Sequence, residues 1–218
     1  MRIPKLIPYD PFIKRSLDIL VSSAALLFLS PLFYLIILII KSGSPGPVFF
    51  KQKRIGKGFR PFKLIKFRSM AVTENLGDGD FDPGDNSRVT KVGSFLRRSK
   101  LDELPELFNV LTGDMSIVGP RPEVEKYVKT HQKDFETTLR IRPGLSDFAS
   151  IKYQDEEAIL VSQTDPEMYY REVILPDKLQ LAKRYVEEMS FKTDLQIIKD
   201  TIKSIMKTLP ISGQARSG

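Results

Sequence analysis

Asp102 and Glu103 are adjacent carboxylates in the run LRRSKLDELPELFNVLTGDMSIVGPRP (96–122). Arg97 and Arg98 stand just upstream; Asp114 and a proline-flanked Arg121 follow downstream. This mix suits phosphate chemistry. An ionised carboxylate can attack phosphorus and form an aspartyl-phosphate type of intermediate. A neighbouring carboxylate can hold Mg²⁺, which bridges phosphate oxygens. Rigidly placed arginines offer bidentate hydrogen bonds to the same phosphates, and phosphoryl transfer depends on such positioning and positive charge. A plainer role competes. Ser99-x-x-Asp102 resembles a capping box and Pro105 fits near a helix start, so Asp102 could simply cap a helix. In the reactive role, a helix N-terminus and nearby arginines favour the ionised acid and lower its pKa. Successive helical residues point about 100° apart, which lets Asp102 and Glu103 take different tasks.

Two shorter blocks accompany this one, KFRSM (66–70) and RPGLSD (142–147). Other chemistries are narrowed by composition. The chain has no cysteine, which excludes disulfides, zinc–thiolate sites and cysteine nucleophiles. Its one histidine, His131, leaves no multi-histidine metal site. A net charge of +7 suits phosphorylated substrates, anionic lipid or nucleic acid without choosing among them.

The elements that must position these groups begin with an uncharged stretch from Ile19 to Ile40, about 22 residues, the length of a bilayer span. It is too long for a secretory signal, and no small-residue cleavage site follows. A buried core helix is disfavoured because residues 32–40 offer no polar face. Ser30-Pro31 sits mid-run, where proline removes a donor and bends a helix, and a serine hydroxyl can satisfy the freed group. Basic residues flank both ends, with Lys14 and Arg15 before and Lys41, Lys51, Lys53 and Arg54 after. The positive-inside rule therefore gives no orientation. A helix–break–helix that re-enters the same face resolves this; an ordinary kinked span is the competing reading.

The remainder reads as α+β and predominantly helical. Residues 1–14, with Pro4, Pro8 and Pro11, form an extended lead-in. Strands are expected at 48–50 and 62–67 around IGKGFRP, making a short β-hairpin. The acidic, glycine-rich segment 74–87 is expected as a loop. Its Asp78, Asp80 and Asp82 faintly suggest a calcium loop, but Val89 stands where the twelfth-position Glu belongs. Apolar residues at 101, 104, 107, 108 and 111 have helical spacing. Amphipathic, lysine-rich patterns over about 166–208 suit helices packed on the core or lying in the membrane interface. The boundaries expected are 1–45 for the lead-in and membrane helix, 46–208 for a cytoplasmic catalytic domain, and 209–218 for a disordered tail.

From KRSLDILVSSAALLFLSPLFYLIILIIKSGSPGPVFFKQKRIG through KFRSM, RRSKLDELPELFNVLTGDMSIVGPRP and RPGLSD to MSFKTDLQII, the chain resembles the small monotopic phosphoglycosyl transferases, the bacterial sugar transferase family. The resemblance implies transfer of a phosphosugar from a UDP-sugar to polyprenyl (undecaprenyl) phosphate, with release of UMP. It implies Asp102 as the nucleophile of a covalent phosphosugar intermediate, Glu103 as the group that places Mg²⁺, and Lys66, Arg97, Arg121 and Arg142 facing the phosphates. Ser30-Pro31 would bend a re-entrant helix in one leaflet of the bacterial inner membrane, with the catalytic domain on the cytoplasmic face. Membrane lipids are implied partners, nucleic acid is not, and a homodimer and downstream glycosyltransferases are admitted. Two departures stand out: Phe148 replaces the usual Trp after RPG, and Ala182 stands where an Asp often precedes Tyr185-Val186. These leave sugar or nucleotide recognition open. A non-catalytic basic membrane-surface module and a repurposed scaffold are the competing classes.

Overall fold

A computed structural model describes residues 10–72 and 88–208. The expected acidic loop at 74–87, with its faint calcium pattern, and the expected tail at 209–218 lie outside those residues, as does most of the lead-in.

Helix α1 spans Pro11–Gly43. Asp10 caps it by accepting from the Phe12 amide at 2.8 Å, and Pro11 takes the first position, where its missing N–H is no loss. The helix thus begins before residue 14, inside the segment expected to be extended. It also runs through Ser30-Pro31 as one element rather than two. Pro31 cannot donate to the carbonyl of Leu27, one turn back; Ser30 Oγ donates to that same oxygen at 2.8 Å. The side-chain bond replaces the missing backbone bond and keeps the ladder satisfied. The helix is long and apolar enough to cross a membrane, and Leu20, Leu27, Phe28 and Tyr34 are exposed along it.

Strands β1 (Phe49–Ile55) and β2 (Pro61–Phe67) form an antiparallel hairpin, registered from Phe49↔Phe67 to Ile55↔Pro61. The first strand outruns the expected 48–50, because its exposed Lys51 and Lys53 cost nothing at the surface while Gln52 and Ile55 are buried. Helix α2 (Lys91–Arg98) follows, then a tight 3₁₀ turn at Leu101–Glu103, then α3 (Glu106–Thr112). Helical spacing over 99–111 predicts a single helix; the chain is instead broken at Lys100, which adopts left-handed φ 56°. Gly93 lets α2 approach Ser69 closely: a Cβ there would lie 1.8 Å from the Ser69 carbonyl oxygen.

Short parallel strands β3 (Ser116–Val118) and β4 (Gly144–Ser146) pair at Ser116↔Gly144 and Val118↔Ser146. They are separated by α4 (Glu125–Thr130) and α5 (Gln132–Thr138). Beyond β4 come α6 (Phe148–Lys152), α7 (Glu156–Val161), α8 (Pro166–Tyr169), a π turn at Tyr170–Ile174, α9 (Leu175–Glu188) and α10 (Phe191–Thr208). The α+β, mainly helical class is as expected.

Apolar burial ties α1 to this domain at both ends. Phe33, Ile36 and Ile40 pack with Phe67 of β2 and Leu96 of α2. Leu17 packs against Val118, Tyr185 and Ile197. Near the start of α1, Lys14 Nζ meets Asp194 Oδ2 of α10 at 2.5 Å, and buried Asp18 accepts from Ser116 Oγ and the Ile117 amide. Arg15 donates to the carbonyls of Val110 and Leu111. Those carbonyls lie in the last turn of α3, where the Gly113 amide already donates to Val110 O at 3.1 Å, so the guanidinium adds to the C-cap.

Candidate active site

The 3₁₀ turn, the end of β2 and the loop after β3 converge on one charged cluster. Lys66 reaches it because β2 is locked to α3 by Asn109, whose Nδ2 donates to Lys63 O at 2.8 Å and whose Oδ1 accepts from Ile65 N at 3.0 Å. Lys66 Nζ lies 2.7 Å from Glu103 Oε1 and 3.4 Å from Glu106 Oε1. The Arg121 guanidinium grips both oxygens of Glu103. Arg121 is itself held at its backbone, where its amide donates to Asp147 Oδ2 at 3.1 Å. Close passage of Gly119 past Gly144 makes this possible: a Cβ on Gly144 would lie 2.0 Å from the Gly119 nitrogen.

Asp102 is 6% exposed, and its Oδ1 has no hydrogen-bond partner. The cap reading fails here. Ser99 ends α2 and turns its hydroxyl back to the carbonyls of Phe95 and Leu96, so it does not open a capping box with Asp102. The expected lowering of the Asp102 pKa is also reversed. Burial, the largest influence, pushes the carboxyl up; Lys66 opposes this, and the charge of Glu103 adds to it. Asp102 does sit in the first turn of the 3₁₀ segment, but burial outweighs the neighbouring cations.

Its neighbour goes the other way. Burial pushes the Glu103 carboxyl up, but Arg121, Lys66 and Lys100 outweigh it and hold the acid well below the usual carboxylate range. Two adjacent acids are therefore driven apart by their surroundings, which is how paired roles are assigned in active sites. The third acid, Glu106, is 1% exposed and neither of its oxygens has a hydrogen bond. Burial first, with Glu103's charge reinforcing it against Lys66, pushes its carboxyl up to about 7. Lys66 is pulled down by burial, yet Glu103 and Glu106 prevail and keep its ammonium charged.

Of the expected residues, Asp102, Glu103, Lys66 and Arg121 are brought together. Arg97 is near enough to lower the Asp102 pKa, though its Nη1 pairs with Glu157 of α7 at 2.8 Å and its Nε donates to Ser69 Oγ. Arg142 is not part of the cluster: its Nε donates to Gly113 O at 2.8 Å, and it lines a separate cleft at the hairpin turn. Arg98 and Asp114 are also elsewhere, Arg98 exposed and Asp114 in that cleft. Glu106, Asp147 and Glu157 were not singled out from sequence. For Glu106 a signal existed, since an acid three positions after Glu103 returns to the same side of a helical turn.

Among the described residues, no group of three or more acids or histidines is arranged to hold a metal. A magnesium ion that brings phosphate oxygens and waters needs only one or two carboxylates. Glu103, next to the orphaned Oδ1 of Asp102, is the donor that would hold it.

The bacterial sugar transferase profile matches residues 9–208. The chain belongs to the bacterial sugar transferase family. It is 35% identical over 202 residues to the UDP-N-acetylgalactosamine-undecaprenyl-phosphate N-acetylgalactosaminephosphotransferase of Aeromonas hydrophila, covering 91% of this chain and 45% of that protein. It is 36% identical over 193 residues to the UDP-glucose:undecaprenyl-phosphate glucose-1-phosphate transferase of Escherichia coli K12, covering 87% and 39%. With the exopolysaccharide production protein ExoY of Sinorhizobium fredii it shares 34% over 213 residues, 91% of this chain and 87% of that one. The chain thus spans less than half the length of the first two relatives. Within this sugar transferase, the first departure from the family pattern falls in the core. Phe148 stands edge-on to buried Tyr185, centroids 6.4 Å apart, under the Arg184 guanidinium. The second lies closer to the site: Ala182 lines a water-sized cavity shared with Arg121 and Asp147.

Proposed function

We propose that this chain transfers a phosphosugar from a UDP-sugar to undecaprenyl phosphate at the cytoplasmic face of the bacterial inner membrane. The observation that carries the reading is the buried, unpartnered Oδ1 of Asp102 beside a cluster in which Lys66 and Arg121 already hold Glu103. A carboxylate oxygen freed of hydrogen bonds is a stronger nucleophile, and Lys66 nearby keeps its charge tolerable.

Asp102 attacks the β-phosphorus of the UDP-sugar. The bond from that phosphorus to the bridging oxygen breaks, and UMP leaves with the electron pair. The phosphosugar remains as an acyl phosphate on Asp102. An oxygen of undecaprenyl phosphate then attacks the same phosphorus, expels the carboxylate and gives a polyprenyl diphosphosugar. Lys66 and Arg121 face the phosphate charge, and Arg97 joins them by exchanging Glu157 for substrate. Glu103 would hold a magnesium ion beside Asp102, and that ion would neutralise phosphate charge when bound.

A re-entrant α1 fits this chemistry, because both substrates and the site must share one face. Arg15 and Phe33 both contact α3, through Val110 and Phe108. Along a straight helix they stand about 27 Å apart, which supports a bend that returns α1 to the domain it left. Phe191, Leu195, Ile202 and Met206 form an exposed apolar stripe on α10, which supports an interfacial helix beside it.

The test is release of UMP and capture of labelled phosphosugar. Wild-type protein with a UDP-sugar labelled in the β-phosphate retains label after denaturation, and Asp102→Asn retains none. UMP release by Asp102→Asn at the wild-type rate would remove Asp102 as nucleophile.

A further inference from the structure

Away from the acid cluster, the β1–β2 turn and the Gly113 corner enclose an open cleft of about 410 Å³, in the size range of small-ligand pockets. Its charged walls are Lys57, Arg60 and Arg142, against a single acid, Asp114. Nε of Arg142 is spent on Gly113 O. That bond fixes the guanidinium plane, and among the described residues no acid pairs with Lys57, Arg60 or Arg142. Three cations around one cleft, one of them pre-oriented, match a phosphate better than a neutral ligand.

The turn itself is strained. Phe59 adopts φ 61°, a left-handed conformation that bulky residues seldom take, and strain of this kind collects at binding loops. It leaves the Phe59 ring 38% exposed beside Lys57 and Arg60. The Gly58 amide, donating to Leu139 O at 2.8 Å, pins the turn to the domain.

Position decides the source of the phosphate. Pro61 lines the cleft, and Lys66 lies about 17 Å farther along β2, so this is not the acid cluster. A Cβ on Gly113 would sit 3.3 Å from Arg15 Nη2. Arg15 lies roughly 6 Å along α1 before Ile19, where the exposed apolar run begins. The cleft therefore adjoins the start of α1, just before the exposed apolar run, which is headgroup depth if that run is in the bilayer.

We propose that this cleft binds the phosphate of an anionic phospholipid headgroup, with Lys57, Arg60 and Arg142 as ligands and Phe59 seated at the headgroup–acyl boundary. The proposal rests on the membrane reading of α1.

The test uses the full chain, the double variant Lys57→Gln/Arg60→Gln, and three probes: dihexanoyl phosphatidylglycerol, dihexanoyl phosphatidylcholine and inorganic phosphate. Both substituted side chains are exposed, so the melting temperature without ligand stays at the wild-type value. Calorimetry is expected to give phosphatidylglycerol binding to the wild type that weakens about tenfold in the variant and with added salt, with little binding of the other two probes. Equal binding by the variant overturns the site, and inorganic phosphate binding as tightly as phosphatidylglycerol overturns the lipid assignment. Vesicle flotation separates the underlying reading. Stronger flotation with phosphatidylglycerol-containing vesicles than with pure phosphatidylcholine supports the proposal, equal flotation on both overturns it alone, and no flotation on either overturns the membrane reading with it.

Discussion

Lys66 Nζ stands 2.7 Å from Glu103 Oε1, joining the end of β2 to the 3₁₀ turn that carries both adjacent acids. The two side chains are 20% and 15% exposed, so the pair is largely desolvated. Lys66 also faces Glu106 at 3.4 Å. One ammonium thus balances two carboxylates, with Arg121 sharing Glu103.

Replacing Lys66 with Met leaves Glu106 facing no cation at short range and weakens the hold on Glu103. Removing one partner of a buried pair costs about 3–5 kcal/mol. Lys66→Met is expected to lower the denaturation midpoint by a corresponding amount, and to reduce UMP release by roughly 10²-fold through lost charge stabilisation. Lys66→Arg should recover most of the stability. Chemical denaturation and a UMP-release assay read the two effects separately.

Glu106 supplies a pH test. Its folded pKa is raised to about 7, above the ordinary glutamate value. The folded state then binds the extra proton, and stability falls as pH rises from the ordinary carboxylate range through about 7. The full penalty is on the order of 3 kcal/mol at pH 8. Glu106→Gln imitates the protonated acid and escapes it. The variant is expected to be more stable than wild type at pH 8 and nearly equal to it at pH 4, as read by melting curves across that range. A constant difference at every pH would refute the assignment.

Ser30 and Pro31 act as a unit in α1. Ser30→Ala alone leaves Leu27 O without a donor in an apolar setting and costs about 1 kcal/mol. Pro31→Ala restores a backbone N–H to that carbonyl, so Ser30→Ala in that background is expected to be close to neutral. The coupling, about 0.5–1 kcal/mol in a double-mutant cycle, is absent if Ser30 serves another purpose.

Gly144 tests the seating of Arg121. A Cβ at Gly144 would drive into the Gly119 backbone at 2.0 Å, where no flexible side chain can yield. Gly144→Ala is expected to destabilise by about 3 kcal/mol and to weaken UDP-sugar binding more than Gly43→Ala, since a Cβ at Gly43 meets only Val92 Cγ2, at an ordinary contact of 3.9 Å. Binding isotherms beside thermal melts distinguish the two.

Much of this was legible in the chain. The apolar run of α1, the hairpin, the helical α+β class and the acid pair between basic residues are all local patterns of residue type and spacing. Even the Ser30 substitution for a lost backbone bond follows from which residues adjoin Pro31. What the sequence did not carry was everything that depends on distant neighbours. Lys66 meets Glu103 only because Asn109 stitches α3 to β2. Arg121 and Arg142 bracket paired strands yet aim apart, one at Glu103 and one at Gly113. Spacing alone reads Asp102 as either a helix cap or a reactive acid with a lowered pKa, whereas burial in a 3₁₀ turn raises its pKa. Local spacing determines which groups can share a helical turn or a strand face. Desolvation and Coulomb interactions act between whatever surfaces the fold presses together, so within the acid cluster the direction of each pKa and the partner of each charge were decided by tertiary structure.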